Sequence, residues 1–210
     1  MMKDIYIIGA SGFGREVAWL LEELSEWNIK GFIDDNETIQ GEKINGITVI
    51  GTVDFLLGRK EETNVVIAIG NPSVRSMIYE KLKFNNNILF PNIIAKNVRI
   101  DKTIKMGIGN IICSHSILTV NIELGNFNHV NLDCTVGHDV IMNDFITVYP
   151  SVNISGNVEI GNYCEIGTGT QIIQGKSIAD NVIIGAGAGV VKNIKESGTY
   201  VGCPVRRMKV

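Results

Sequence analysis

The sequence lacks the features that mark membrane proteins and nucleic-acid-binding proteins. None of its apolar stretches approaches the roughly eighteen residues that a membrane-spanning helix needs, and the apolar run after Asp4 is too short for the core of a signal peptide. The net charge is only -3, and no run of Lys and Arg marks a membrane surface. We therefore expect a cytoplasmic protein that neither inserts into membranes nor binds nucleic acid.

A six-residue period runs from Ile94 to Val190. Every sixth residue of this stretch is aliphatic or Met, and the fourth residue after each of these is mostly small or branched. A helix or a simple alternating strand does not repeat in this way, whereas a short strand followed by a turn does. Three such units close a triangular coil of about eighteen residues, so the pattern predicts a parallel β-helix of nearly six coils.

Cysteine and histidine are scarce, and their spacing does not suggest a metal site. The four cysteines contain no C-x-x-C pair. Cys134 and Cys164 fall at the inward fourth position of their six-residue units, where we expect them to act as small apolar fillers.

The residues before the period alternate between strand-like and helix-like patterns. This alternation predicts a small Rossmann-like α/β domain whose strands are parallel. We expect Ser73 to be the N-cap of its last helix. The predicted strands are 5–8, 29–33, 47–50 and 65–69, and the predicted helices follow Gly14 and cover 53–58 and 73–82.

The first strand ends in a glycine-rich turn, G-x-x-G-x-G, which differs from the dinucleotide fingerprint. Packing of strand against helix can explain such a turn; alternatively, its backbone N–H groups and the helix start receive a phosphate. Because this half is short, we expect a mononucleotide or nucleotide sugar at the carboxyl edge of the sheet. The candidate substrate-binding residues there are Gly9, Ser11, Gly12, Phe13, Gly14, Asp34, Asp35 and Gly70.

Histidine provides the candidate catalytic group. His138 falls in a turn of the repeat and is followed by Asp139. A histidine can take the acceptor's proton in acyl transfer, and a neighbouring carboxylate can fix its tautomer. From spacing alone, a solvated turn histidine is an equal alternative. We expect His115 to be structural, and His129 to stack beneath Thr147 and form a hydrogen bond in a turn rather than line the same cleft.

These motifs together resemble the hexapeptide-repeat sugar acyltransferases related to sialic acid O-acetyltransferase and to N-acetyltransferases of UDP-linked 4-amino sugars. The resemblance rests on Gly9–Gly14, the uninterrupted repeat, Val136–Asp139 and the closing segment Val201–Arg206, and it covers essentially the whole chain. It implies a left-handed β-helix, although the general rule for parallel crossovers gives the opposite hand. It also implies a homotrimer with acetyl-CoA between neighbouring prisms. The implied parts are a Rossmann-like nucleotide-sugar-binding domain (1–90), an acyltransferase β-helix (91–192) and a tail near the coenzyme (193–210).

The resemblance also implies roles for individual residues. His138 is the general base, Asp139 its partner and Asn131 a polar group beside it. The backbone N–H of Gly156 contacts the coenzyme near its thioester, and no metal takes part. The other residues expected at the coenzyme are Gly185, Ala186, Gly187, Ala188, Lys192 and Pro204.

The implied reaction is acetyl-CoA-dependent N-acetylation of a nucleotide-linked amino sugar for bacterial surface glycans, by direct attack. Some N-acetylating relatives have histidines where this chain has Phe13 and Thr147, so sugar O-acetylation is the alternative. A zinc hydratase of the carbonic anhydrase kind needs a close histidine pair, which is missing here. A non-catalytic trimeric scaffold is the last alternative, and the Ala/Gly-rich late coil argues against it.

Overall fold

The computed structural model describes residues 2–208. The chain divides between Ile93 and Ile94 into two compact units. The first unit contains the predicted α/β region and the second contains the repeat, which we call the prism.

The first unit is built around a six-stranded sheet with the strand order β3-β4-β2-β1-β5-β6. Four of its neighbouring pairs are parallel, as predicted, but β3 runs antiparallel to β4 because the two form a hairpin. A 3₁₀ turn covers Glu37–Ile39. The elements are β1 (Lys3–Ile8), α1 (Gly12–Leu24), β2 (Trp27–Ile33), β3 (Lys43–Ile44), β4 (Ile47–Gly51), α2 (Val53–Leu57), β5 (Thr63–Ile67), α3 (Pro72–Leu82) and β6 (Ile88–Leu89).

Two predicted boundaries next to α3 were wrong. Pro72, rather than Ser73, begins the helix, and the side chain of Asn71 caps it by accepting a hydrogen bond from the Val74 N–H at 3.0 Å. A proline suits the first helical position because its missing N–H would have no helical partner. The strand before it ends at Ile67, because the next carbonyls turn to the buried Arg75 guanidinium, which donates to Ile69 O at 2.6 Å.

The prism consists of short strands, almost all of two residues. They are β7 (Ile93–Ile94), β8 (Arg99–Ile100), β9 (Lys105–Met106), β10 (Ile111–Ile112), β11 (Ile117–Leu118), β12 (Glu123–Leu124), β13 (His129–Val130), β14 (Thr135–Val136), β15 (Ile141–Met142), β16 (Thr147–Val148), β17 (Asn153–Ile154), β18 (Glu159–Ile160), β19 (Glu165–Ile166), β20 (Gln171–Ile172), β21 (Ser177–Ile178), β22 (Val182–Ile184), β23 (Gly189–Val190), β24 (Gly198–Val201) and β25 (Arg206–Arg207).

Apart from β25, which runs antiparallel to β24, these strands form the three parallel sheets that a triangular coil requires. Each pairs with the strand one coil later, so that His129 lies between Ile111 and Thr147 in register. The repeating aliphatic residues point inward and form one continuous buried cluster along the prism. Cys134 and Cys164 belong to this cluster, as predicted, and burial raises the pKa of each thiol to about 11.

The turns between strands define three edges of the prism. The second residue of each turn from Gly109 to Gly187 has a left-handed backbone, for example Asp139 with φ 58°. Asn and Asp tolerate this conformation better than other residues with a side chain. The first edge comprises 96–97, 114–115, 132–133, 150–151, 168–169 and 186–187; the second 102–103, 120–121, 138–139, 156–157, 174–175 and 192–193; the third 108–109, 126–127, 144–145, 162–163 and 180–181.

The tail continues the prism although it lacks the six-residue period. The buried Ile194 bridges to Ile178, and β24 adds in parallel to β22, pairing Gly198 with Val182. Both pairs are sixteen residues apart (194 − 178 and 198 − 182) instead of eighteen. The last coil is therefore shorter, which takes its apolar residues out of the six-residue count.

Residues 2–208 contain no helix that is both long and apolar enough to cross a membrane. The expected cytoplasmic location stays a prediction.

Candidate active site

His138 and Asp139 form a hydrogen-bonded pair at the second edge of the prism. His138 Nδ1 lies 2.7 Å from Asp139 Oδ2, and both side chains are about half exposed, at 48% and 46%. An ionised carboxylate only accepts hydrogen bonds, so this contact places the proton on Nδ1. The other ring nitrogen, Nε2, then keeps its lone pair and can act as a base.

The carboxylate of Asp139 is held in its ionised form. The hydrogen bond from His138 lowers the pKa of Asp139, and a second bond from the Asn121 side chain to Oδ1 at 3.2 Å lowers it further. Asp139 therefore stays anionic around neutral pH, where it can support positive charge on the imidazole.

Gly156 lies one coil after His138 and leaves room for its ring. A Cβ atom at Gly156 would sit 2.5 Å from both Cε1 and Nε2 of His138. The imidazole thus fills the volume that any other residue at position 156 would need. The N–H of Gly156 has no hydrogen-bond acceptor within residues 2–208 and can serve a ligand beside Nε2.

The expected coenzyme residues occupy two edges of the prism. Lys192 lies on the second edge, three coils beyond His138, a separation of about 14 Å at the usual strand spacing. Ala186 and Gly187 are exposed on the first edge, flanked by Gly185 and the buried Ala188. The remaining residue, Pro204, is exposed in the turn between β24 and β25.

Asn131 does not neighbour His138 within the chain. It lies next to the first-edge turn 132–133, one sheet away from the second edge, and its side-chain oxygen accepts the N–H of Leu132 at 2.7 Å. Seven residues along the chain lead from one corner of the triangle to the next, so Asn131 could stand beside a base only in a neighbouring prism.

The other two histidines are positioned differently from each other. His129 stacks in register with Thr147, as predicted, but both lie in buried strands, so the prediction that His129 occupies a turn was wrong. His115 is an exposed turn residue whose Nε2 lies 3.3 Å from the Asn97 side chain. Neither histidine shares the second edge with His138.

The first unit contains a cavity of about 300 Å³ at the carboxyl edge of its sheet. Of the predicted substrate-binding residues, Gly9, Asp34 and Asp35 line it. Ser11, Gly12, Phe13, Gly14 and Gly70 do not. The rest of its wall is mostly apolar, with one cation: Ile8, Ile33, Val53, Ile69, Val74, Met77, Ile78 and Lys81.

The glycines of the turn serve two different purposes. A Cβ on Gly9 would meet Ala68 O at 2.8 Å, and one on Gly14 would meet Gly9 O at 1.9 Å, so both allow close packing of strand and helix. A Cβ on Gly12 would meet nothing closer than an Arg15 side-chain nitrogen at 3.9 Å. Packing therefore explains Gly9 and Gly14, whereas Gly12 lies exposed at the start of α1.

Both aspartates of the cavity fix backbone. Asp34 accepts the N–H of Ala10 at 2.9 Å, and Asp35 accepts the N–H of Val53 at 2.8 Å. They join the glycine-rich turn and the start of α2 to the end of β2.

Sequence reasoning missed two residues of these sites. Lys81 lies with Val74, Met77 and Ile78 on the helical face that lines the cavity, and its hydrogen bond to Asp54 raises the pKa of its ammonium group. Asn121 supports Asp139 from the preceding coil. Asn121 could have been found because it lies eighteen residues, one coil, before Asp139. Lys81 could have been found because helical spacing places it on the same face of α3 as Val74, Met77 and Ile78.

Residues 4–82 match the family model described as the PglD N-terminal domain. The chain is 31% identical to GDP-perosamine N-acetyltransferase of Escherichia coli O157:H7 over 97% of its own length and 95% of that protein. This chain belongs to the hexapeptide-repeat sugar acetyltransferases. A solved relative within this family is the acetyltransferase domain of PglB from Neisseria gonorrhoeae, determined with acetyl coenzyme A, with 30% identity and a TM-score of 0.93 over 99% of this chain and 100% of that one.

WeeI from Acinetobacter baumannii is a further solved neighbour, with 32% identity and a TM-score of 0.88 over 98% of this chain and 100% of that chain. As a hexapeptide-repeat acetyltransferase the protein is an enzyme, and its prism is the left-handed β-helix expected from the sequence.

Proposed function

We propose that this acetyltransferase transfers the acetyl group of acetyl-CoA to the amine of a nucleotide-linked amino sugar. The observation that carries the proposal is the exposed pair of His138 and Asp139, whose ring nitrogen Nε2 lies against Gly156. The name of the relative from Escherichia coli supports an activated 4-amino sugar as acceptor.

The proposed mechanism is direct attack. Nε2 of His138 takes a proton as the sugar nitrogen forms a bond to the thioester carbon. The negative charge that develops on the carbonyl oxygen meets the N–H of Gly156. The C–S bond then breaks, and the proton held by His138 passes to the departing thiolate of CoA. Asp139 stabilises the imidazolium between these two steps.

We propose that the coenzyme lies along the prism and that the enzyme is a homotrimer. Within one chain, Gly156 and Lys192 lie on the second edge, whereas Gly185 to Ala188 lie on the first edge. Asn131 is likewise on the first-edge side of its sheet. An arrangement in which the first edge of one prism faces the second edge of the next would unite these residues around one coenzyme.

We propose that the cavity of the first unit receives the nucleotide. Its apolar wall suits a nucleobase, and the carboxylates of Asp34 and Asp35 suit hydroxyl and N–H donors. The open Gly12 and the start of α1, which has no acidic residue in its first turn, suit the diphosphate. The product would then be consumed in the assembly of surface glycans.

The test is a thiol-release assay with acetyl-CoA and a panel of UDP-, GDP-, dTDP- and CMP-linked sugars, each offered with a free amine and with hydroxyls only. We expect CoA release with amino sugars alone. Release only with non-amino sugars would make the protein an O-acetyltransferase, which is the reading that Phe13 and Thr147 leave open. No release of CoA with any sugar of the panel would contradict the proposed function.

A further inference from the structure

A column of polar side chains runs along the second edge beneath His138. The Asp101 carboxylate accepts the Thr103 hydroxyl at 2.6 Å, and the Thr103 hydroxyl accepts the Asn121 N–H at 2.8 Å. The Asn121 amide then donates to Asp139 Oδ1 at 3.2 Å. The column thus links the first coil of the prism to the proposed base.

The last contact of this column restrains the catalytic carboxylate. His138 binds Oδ2 of Asp139 and Asn121 binds Oδ1, so the two oxygens have different partners on opposite sides. A carboxylate held at only one oxygen can rotate about its Cβ–Cγ bond, whereas one held at both keeps its plane. Because Asp139 only accepts hydrogen bonds, Asn121 must present its NH₂ group to it.

We propose that Asn121 is a positioning residue, which holds the Asp139 carboxylate in the orientation that keeps the proton of His138 on Nδ1. Asn121 acts on the base through the Asp139 carboxylate, to which its side-chain amide donates. The inference rests on the proposed function for its kinetic consequence, but not for its effect on the state of His138.

The charged groups around this pair are few. Within the prism, the neighbouring turns of the second edge contribute Val120 and Asn121 on one side and Gly156 and Asn157 on the other, none of which titrates. The nearest titratable side chains are the exposed Glu123 and Glu159, which pair in register with Ile141 one coil before and one coil after it, whereas Asp101 and Lys102 lie two coils before His138. Both glutamates are retained in the variants below, so a change of charge at position 121 acts on His138, through Asp139 and directly, against the same background.

Two substitutions separate positioning from a merely structural role. Asn121→Gly removes the amide but suits the left-handed backbone at φ 56°, so it deletes the contact without strain. Asn121→Asp keeps the shape and the backbone preference but faces Asp139 with a second carboxylate. The matched control is Asn181→Gly, at the same φ of 56° on the exposed third edge.

The first measurement is ¹⁵N NMR of His138 as a function of pH, which reports its tautomer and its titration midpoint without any substrate. We expect Asn121→Gly to lower the fraction of the Nδ1–H tautomer. We expect Asn121→Asp to raise the midpoint by about half a pH unit, because a second negative charge one coil away, at about 4.8 Å in water, favours the imidazolium. An unchanged tautomer and midpoint in both variants would overturn the proposal.

The second measurement is kcat/KM as a function of pH with the active sugar. We expect a roughly 3- to 10-fold lower value for Asn121→Gly, the usual effect of one hydrogen bond, with an unchanged dissociation constant for acetyl-CoA. In Asn121→Asp the acid limb should move to higher pH, since His138 must be neutral to act as base. NMR shifts in an enzyme that shows no activity on any sugar would support the positioning and refute the proposed function.

Discussion

The second and third edges of the prism share the same turn geometry, but they differ in whether side chains cap the backbone N–H groups of the turns. On the third edge, the turn N–H groups are capped by side chains from the next coil: Asp144 Oδ1 accepts the Asn126 N–H at 2.7 Å, and Asp180 Oδ1 accepts the Asn162 N–H at 2.7 Å. Glycines such as Gly125, where a Cβ would lie 2.2 Å from Asp144 Oδ1, give these caps their room. On the second edge, the His138 ring occupies the space that a side chain at Gly156 would need, and the N–H of Gly156 stays available.

The comparison shows how one repeat produces two kinds of edge. We call the third edge the sealed edge, because side chains cap its turn N–H groups, and the second edge the reactive edge, because it carries His138 and the available N–H of Gly156. The third edge adds a stack of aromatic rings, in which Phe145 lies 5.2 Å from Phe127 and 5.4 Å from Tyr163 between centroids. On that edge the N–H groups of Ile108, Asn126, Asp144 and Asn162 each donate to a side-chain oxygen of the next coil. A reactive edge needs the reverse, because a base and an N–H donor must remain open to a ligand.

The largest effect should come from removing the base of the reactive edge. We expect His138→Asn to lower kcat by about 10²- to 10⁴-fold, the usual contribution of a general base, with little change in acetyl-CoA affinity. Steady-state kinetics and calorimetric titration measure the two quantities. His115→Asn is the control, since it replaces another exposed turn histidine outside the second edge, and an equal loss in both variants would remove His138 from the mechanism.

Filling the space beside the base should have the next largest effect. In Gly156→Ala the new Cβ collides with the imidazole, so we expect kcat/KM to fall by about 10- to 100-fold while the protein stays folded. Circular dichroism and the thiol-release assay check both parts. Gly58→Ala is the control, because Gly58 has open space around it and an ordinary backbone. Full activity of Gly156→Ala would mean that His138 need not lie against residue 156.

Breaking the sealed edge should affect stability rather than catalysis. Asp144→Ala removes the acceptor for the Asn126 N–H and side-chain amide, which we expect to lower the free energy of unfolding by about 1–3 kcal/mol. Denaturant titration gives this value. The specific activity of the folded protein should remain unchanged, and a selective loss of activity would contradict the division of labour between the edges.

The smallest effect should come from a change that keeps the cap. Asp180→Asn retains the oxygen that accepts the Asn162 N–H, so we expect the free energy of unfolding to change by less than about 0.5 kcal/mol. The same denaturant titration measures it. A much larger change would show that the charge of Asp180, and not its acceptor oxygen, seals this edge.

Most of the fold was predictable because the prism repeats a local rule. Each inward aliphatic residue and each left-handed turn residue, such as Asp139 and Asn157, follows from six consecutive positions. The shortened last coil was not predictable by the same count, since Ile194 pairs with Ile178 two residues early. Nor was the cap of α3, where Asn71 takes the role expected of Ser73 because Pro72 begins the helix.

The candidate site was predictable in its chemistry but less so in its geometry. His138 and Asp139 are adjacent in sequence, so their pairing needed no fold. The place of Asn131 on the first-edge side was not predictable, because only the triangular path of the chain decides which edge a residue reaches. Asn121 was missed for the same reason, since its partner lies eighteen residues away.

The clearance between His138 and Gly156 also constrains how the sequence can evolve. A side chain at position 156 is disfavoured only while the imidazole occupies that volume. Once a lineage loses the histidine, substitutions at 156 become acceptable, and each of them then blocks the return of the histidine. Loss of the base would therefore be difficult to reverse, and descendants that have lost the activity should carry changes at both position 138 and position 156.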